Sequence, residues 1–439
     1  MKSINNFIIL SAAVLALNLH AGDYILQTPG SVIDMDSDDG RSELAELISE
    51  KTSSGDTSPI LVEYKAKYSV ENLQIQLPIV GDIGRLVAHI PIIGGIFGGL
   101  VRDFNPPRTL TLRALLFPAA NPKGFLLGVH GLQSNARWYY KSAEDLAKKG
   151  VTSLFFDRRG SGLSDSVLGL DGKPMPGHVS NSNFDNLLEF PKDGAMGDPS
   201  EFLEDINDSY QHLYLVRDMQ GSTSPIHLYA NCFGARVAFA YAGSWNNPEQ
   251  AFASIITTSP GTNMKKGEIT TLGGKLDVIN PFEHYMKIDL QDTDFTSNSK
   301  ALAEMGDDSL SISLRAVTNR FLLSAGGLTQ KMMAAIKSDT LSTIPTLVVI
   351  PSRDQIIYTD ATEQTFANSY KGKTLVAWMN SEHMIEFDDN AQKDFVELVS
   401  QWINQENVSD TASFATQLQT QVQNGSLPTV LGDKIKSYH

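Results

Sequence analysis

The stretch that decides the reading of this chain is YANCFGARVA, Tyr229 to Ala238. A strand-like apolar run, Ile226 to Ala230, leads into it, and a helix-like run, Phe233 to Gly243, leads out. Between them stands Cys232, the only cysteine in 439 residues. A sharp strand-to-helix turn lifts its middle residue above a sheet. Such a turn needs small residues two places away on either side, and Ala230 and Gly234 meet that need. The turn also sets the thiol at a helix amino terminus, where aligned peptide dipoles favour a thiolate. Taken alone, the pentapeptide reads equally well as a buried structural cysteine. Its surroundings have to decide.

Working outward, a regular rhythm begins at residue 108. TLTLRALLF alternates as a half-buried strand does, and FLLGVHG is a continuous apolar run of strand length. ARWYYKSAEDLAKKG reads as a helix ended by a glycine, VTSLFFDRRG as a strand, and EFLEDINDSYQHLYLVRDMQG as a second glycine-ended helix. SPIHLYA, FASIITTSP, PTLVVIPS and KTLVAWM are further strands, most of them followed by helical runs. Strands alternating with helices imply a mainly parallel central sheet flanked by helices on both faces, an α/β fold. The rhythm stops between Pro260 and Ile344, a stretch too long for a plain loop. It predicts a helical cap insertion, 261–338, over the carboxyl ends of the strands, where such sheets bind ligands. The core then comprises 108–260 and 339–406. No internal repeat is present.

A nucleophile needs a base, and the base needs an orienting group. Where the nucleophile stands on a sharp strand-to-helix turn of this type, the chain order is nucleophile, acid, histidine. PTLVVIPSRDQII supplies Asp354 just after a strand, and NSEHMIEF supplies His383 just after the next one. His383 is placed to accept the thiol proton, and Asp354 to hold the imidazole. The negative oxygen formed on attack needs two backbone N–H donors, one of them directly after the nucleophile. That one is Phe233. The other falls in the loop VHGLQSN, with Leu132 as donor and with His130 and Gly131 shaping the loop. His130 could be mistaken for the base, but its strand lies on the oxyanion side of the turn, and a structural role is expected.

The stretch VHGLQSNARWYYKSAEDLAKKGVTSLFFDRRGSGLSD resembles the opening of the monoacylglycerol lipase, lysophospholipase and serine aminopeptidase-like branch of the α/β-hydrolases. Its DxRGxGxSD motif reads Asp157-Arg158-Arg159-Gly160-Ser161-Gly162-Leu163-Ser164-Asp165. Gly177-His178 ahead of the acidic FLEDI helix, and an insertion before PTLVVIPSRD, also fit that branch. The resemblance covers 108–405. It implies an α/β-hydrolase fold with a helical cap, a Cys232–Asp354–His383 triad, oxyanion donors at Leu132 and Phe233, and no cofactor. Two departures stand out: cysteine replaces the usual nucleophilic serine, and Ala230 replaces the usual first glycine. Cysteine occurs at this position in dienelactone hydrolases and polyhydroxyalkanoate synthases, so the fold accepts it.

A thiol ionises more easily than a hydroxyl, a free cysteine having a pKa of about 8.5. Attack on an ester would give a thioester acyl-enzyme. A thiolate leaves more readily than most amines, so an amide adduct would collapse backwards. Esters or lactones are therefore expected above peptides. The leading expectation is an exported ester hydrolase acting on a lipid-like or other small acyl ester. The rivals are an acyltransferase or polymer synthase with the same triad, and an inactive binding protein.

Composition limits these options. Hydrophobic residues make up 41% and charged residues 19%, an ordinary globular balance. A net charge of −15 argues against nucleic acid, whose phosphates would repel it. A lone cysteine forms no intramolecular disulfide, and no histidine pair has metal-ligand spacing. Lys2, the apolar run Phe7 to Leu17, and Ala21 read as a signal peptide, 1–21, implying a periplasmic or extracellular location. The apolar run falls short of the ~20 residues that span a bilayer. Residues 22–58, acidic and rich in small polar residues, predict a flexible linker with at most one short helix. An extension, 59–107, carries the apolar segment 79–101, which packs on the core or makes peripheral contact with a membrane. The tail, 407–439, is polar and expected to be peripheral.

Overall fold

The computed structural model describes residues 24–26, 31–68, 108–168, 174–176, 201–244, 252–267, 276, 285–307, 316–405 and 408–439. The signal peptide, the apolar segment 79–101 and Gly177-His178 lie outside the described residues.

The strands in chain order are β1 Val32–Asp34, β2 Ile60–Tyr68, β3 Arg108–Phe117, β4 Gly124–Val129, β5 Val151–Phe156, β6 Asp165–Leu168, β7 Pro174–Pro176, β8 Ile226–Asn231, β9 Ile255–Thr258, β10 Tyr285–Lys287, β11 Ala316–Thr318, β12 Thr346–Pro351, β13 Thr374–Met379 and β14 Lys436–Tyr438. Ten of them form one sheet in the order β1-β2-β3-β5-β4-β8-β9-β12-β13-β14. From β5 to β13 every neighbouring pair is parallel. β4, β5, β8, β9, β12 and β13 are buried at every position. That is why they read as unbroken apolar runs: a parallel sheet covered on both faces leaves no strand face to solvent. The register brings the strand ends level. Val129 sits opposite Phe156 and Ala230, Asn231 opposite Thr258, and Pro351 opposite Met379.

The helices are α1 Asp38–Ser54, α2 Tyr140–Lys148, α3 Phe202–Met219, α4 Phe233–Ser244, α5 Asp292–Phe295, α6 Ser299–Asp307, α7 Asn319–Lys337, α8 Thr359–Ser369, α9 Asp389–Asn404 and α10 Thr411–Gln423. The insertion between β9 and β12 contributes α5, α6, α7 and a small antiparallel ladder of β10 with β11. α7 lies tightly on α4, for a Cβ on Gly243 would stand 2.2 Å from the Cβ of Ala335. Among the described residues no helix is long and apolar enough to cross a membrane.

Two expectations are corrected. Residues 22–58 are not a flexible linker where described: they hold β1, parallel to β2, and the 17-residue α1. Ser37 caps α1 by accepting from the Gly40 amide, and Gly55 closes it in the left-handed conformation at φ 75°. Leu44 and Ile48, four residues apart, are buried, so the acidic composition belongs to the outer face alone. The tail is polar in composition but not peripheral in structure. β14 adds an antiparallel edge to β13, and Phe414, Leu418, Leu427, Val430 and Ile435 are buried.

Candidate active site

The site is assembled at the carboxyl ends of the parallel strands. Cys232 follows β8, Gly131 and Leu132 follow β4, Asp354 follows β12 and His383 follows β13. Cys232 has φ +50°, in the left-handed region that a residue with a side chain adopts only where its surroundings impose it. Those surroundings are present. The Cys232 amide donates to the Thr258 carbonyl at 3.1 Å, and its own carbonyl accepts from Gly261 at 2.9 Å and Ala235 at 3.1 Å. A Cβ on Gly234 would stand 2.4 Å from the Val129 carbonyl oxygen and 2.7 Å from that of His130. A glycine is therefore required where α4 meets the end of β4. Ala230, fully buried in β8, has only a methyl to place there.

Asp354 and His383 come together although 29 residues separate them. His383 Nδ1 lies 2.8 Å from Asp354 Oδ2, and Asp354 Oδ1 accepts from the amides of Ile356 at 2.7 Å and Ile357 at 3.0 Å. A carboxylate held this way is an acceptor, so Nδ1 bears a proton and donates to it, leaving Nε2 as the nitrogen that exchanges a proton. The Ser259 hydroxyl donates to the His383 carbonyl at 2.7 Å, and the Phe295 ring stands edge-on to the imidazole at 5.5 Å. Burial by itself pulls the His383 pKa down. The charges of Asp354 and Cys232, with the hydrogen bond to Asp354, outweigh burial and raise it to about 10. Nε2 is buried and makes no hydrogen bond of ordinary geometry. Cys232 is near enough for its charge and side chain to act on the ring, and such nucleophile–base contacts commonly tighten when substrate binds.

Cys232 is 5% exposed and lines a cavity of about 60 Å³. The apolar wall includes Leu132, Phe233, Leu290, Phe295 and Leu322, and the polar groups are Gln133, Ser134, Asn231 and Arg236. Leu290, Phe295 and Leu322 belong to the insertion, whose described residues thus form part of the cavity wall. Leu132 borders the cavity, and its amide donates to no acceptor among the described residues. Phe233 opens α4, so its N–H belongs to the first helical turn, which has no intrahelical acceptor. A Cβ on Gly131 would lie 3.3 Å from Cys232 Cβ, which measures how closely the loop after β4 approaches the thiol.

His130 is fully buried. Its Nε2 accepts from the Arg158 amide at 3.1 Å, so Nδ1 bears the proton and donates to the Gly131 carbonyl at 2.7 Å. Burial, reinforced by the Arg158 charge, holds its pKa well below the usual imidazole value. It is a neutral clasp on the loop. The DRRGSGLSD motif is a clasp as well. Asp157 accepts from the amides of Ala136 at 2.7 Å and Leu163 at 2.8 Å, and a Cβ on Gly162 would strike that carboxylate. Arg159 pairs with Asp205 at 2.6 Å and Glu201 at 2.7 Å, tying the motif to α3 and the turn before it. Ser259, Gly261 and Phe295 were missed from sequence. The Ser-Pro-Gly run after β9 marked a tight turn there, but nothing local showed that it would grip Cys232 and His383. Among the described residues no group of three or more His, Cys, Asp or Glu side chains could hold a metal ion.

Comparison with known proteins agrees with this architecture. Residues 120–390 match the hydrolase family described as serine aminopeptidase, S33. The monoacylglycerol lipase of Paleococcus ferrophilus aligns with 67% of this chain and 98% of its own, at 17% identity and TM-score 0.50. A soluble variant of monoglyceride lipase from Saccharomyces cerevisiae, solved with a substrate analogue, aligns with 67% of this chain and 91% of its own, at 15% identity and TM-score 0.49. At such identities the likeness is one of fold. No protein of curated function matches by sequence.

Proposed function

From the premise that the chain belongs to the serine aminopeptidase S33 family of α/β-hydrolases, we propose that it is an exported carboxylic ester hydrolase working through Cys232, His383 and Asp354. One observation carries the reading. The thiol sits on a left-handed strand-to-helix turn, beside an imidazole oriented by a buried carboxylate 2.8 Å away.

Cys232 gives its proton to His383 Nε2 and its sulfur attacks the ester carbonyl carbon. The carbonyl π electrons move to oxygen, and the amides of Leu132 and Phe233 hold that negative charge. The intermediate collapses, the C–O bond to the alcohol breaks, and the imidazolium protonates the leaving oxygen. A thioester remains on Cys232. Water then attacks it with His383 taking the proton, and the carbon–sulfur bond breaks to release the acid and restore the thiol. Esters are favoured over peptides because an amide adduct would expel the thiolate rather than the amine. The small apolar cavity suits the acyl side of a small ester better than a polar head group.

The test offers p-nitrophenyl esters of two to eight carbons to wild type, Cys232→Ala and His383→Ala, with intact-mass analysis of trapped adducts. Turnover lost in both variants and a thioester adduct on Cys232 in wild type are the expected results. An adduct released by alcohols or amines but not by water would make the protein an acyltransferase. Neither turnover nor adduct would leave a binding protein.

A further inference from the structure

Arg158 takes no part in the scheme above, yet it is the fully buried side chain packed directly behind the oxyanion loop. Its neighbour Arg159 is engaged by Asp205 and Glu201, whereas Arg158 is within bonding distance of no carboxylate among the described residues. Its Nη2 donates to the Gly131 carbonyl at 2.7 Å and approaches that of Leu132 at 3.5 Å. Its backbone amide fixes the His130 tautomer that donates to the same Gly131 oxygen. The guanidinium lies 4.8 Å from the centre of the Phe202 ring and 5.3 Å from that of Phe233. Nε and Nη1 are buried without a hydrogen-bond partner among the described residues.

The Gly131 carbonyl and the Leu132 N–H are opposite ends of one planar peptide unit. Whatever grips the oxygen sets the direction of the hydrogen. Two donors grip it, and one is charged. A cation at the oxygen end draws electron density along the unit and makes the N–H a stronger donor. The same guanidinium holds the ring of Phe233, the residue carrying the other amide. Burying an arginine with two idle donors is costly, and an apolar side chain between two phenylalanine rings would be cheaper. The cost is explained if the charge is used.

We infer that Arg158 is a positioning residue for the oxyanion hole: with His130 it clamps the carbonyl end of the Gly131–Leu132 peptide, aims the Leu132 amide, and sets a buried positive charge behind the developing oxyanion. The inference rests on the ester-hydrolase reading. Burial pulls the guanidinium pKa down to about 10, against the charges of Asp205, Tyr139, Asp157 and Cys232 that raise it, so it remains protonated at neutral pH.

The test compares wild type with Arg158→Met, Arg158→Gln and Arg158→Lys. It measures steady-state p-nitrophenyl ester kinetics, inhibition by a trifluoromethyl ketone that forms an oxyanion on Cys232, and melting temperature. For Arg158→Met we expect kcat about 10- to 100-fold lower, KM within about threefold, and ketone affinity falling in proportion to kcat/KM. Arg158→Gln keeps a donor without the charge, Arg158→Lys keeps charge without the fork, and each should recover part of the loss. If Arg158→Met does not fold, the Gln and Lys variants are read instead. Unchanged kcat and ketone affinity in any folded uncharged variant would overturn the inference, as would a loss confined to KM or melting temperature. Absence of turnover and adduct in wild type would instead sink the ester-hydrolase reading.

Discussion

Strand β8 holds a buried histidine, His227, near its beginning and leads at its end to Cys232, beside a second buried histidine, His383; the two histidines share burial and little else. Near its beginning, His227 Nδ1 lies 2.7 Å from Ser254 Oγ, which also accepts from Trp402 Nε1 at 2.9 Å. Among the described residues no carboxylate pairs with it, and burial drives the His227 pKa down to about 3. At the end, the buried charges of Asp354 and Cys232 overcome burial and raise His383 to about 10. His227 and His383 are both fully buried. Burial therefore does not make a site. A charge partner, a left-handed turn and an adjoining cavity do, and these gather where the parallel strands end.

The largest expected effect breaks this contrast directly. Cys232→Ala and His383→Ala should each lower ester turnover by roughly 10³-fold or more, and Asp354→Asn by on the order of 10²- to 10⁴-fold. His227→Gln should leave kcat unchanged and alter only the melting temperature. Comparable kinetic losses from His227→Gln would mean the two ends are not functionally distinct.

A second contrast separates glycines at the turn. Gly234→Ala puts a methyl against two fixed carbonyls, and we expect a stability loss of about 1–3 kcal/mol by chemical denaturation. Gly131→Ala meets Asn231 Oδ1 at 2.8 Å and Cys232 Cβ at 3.3 Å. It should cost proportionally more in kcat than in stability. Equal ratios would show that the loop after β4 does not shape the reacting end.

The histidines also separate by pH, with opposite sign. His383 holds its proton more tightly in the folded state, so its contribution is complete below about 6.5 and is lost as pH rises through about 10. His227 prefers neutrality when folded, so its contribution is present above about 6.5 and is lost as pH falls through about 3. His130, also held neutral, adds to the acid limb. Each ring can tilt the stability curve by at most about 1.4 kcal/mol per pH unit. His383→Gln should flatten the alkaline limb and His227→Gln the acid limb in melting curves taken from pH 4 to 10. Cys232 is one of the causes that raise His383, so the alkaline limb should also respond to Cys232→Ala. The opposite assignment of limbs would refute the contrast. The smallest effect belongs to the surface. The Lys149–Glu397 pair, 2.6 Å apart and more than a third exposed on both sides, should cost under about 0.5 kcal/mol in Lys149→Met.

Much of this was legible in sequence because the signals were local. Continuous apolar strands, glycine-ended helices and the small residues flanking Cys232 stated a parallel α/β sheet and a turn, and the order Cys232, Asp354, His383 matched the order of strand ends. What stayed hidden was long-range. Composition made 22–58 a linker, but Leu44 and Ile48 are held by a sheet edge that no local pattern reveals. Nothing local distinguishes Arg158 from Arg159. Only tertiary packing sends Arg159 to Asp205 and Glu201 while Arg158 turns behind Gly131.

The amino-acid order by itself determined the alternation of strands and helices and the site of the sharp turn, because propensity, small side chains and apolar runs act over a few residues. The tertiary structure alone decided that Ser259 and Gly261 grip His383 and Cys232, that Arg158 turns behind Gly131, and that β14 completes an edge. Those outcomes depend on hydrogen bonds and charges brought together across tens to hundreds of residues, where position along the chain carries no information about distance in space.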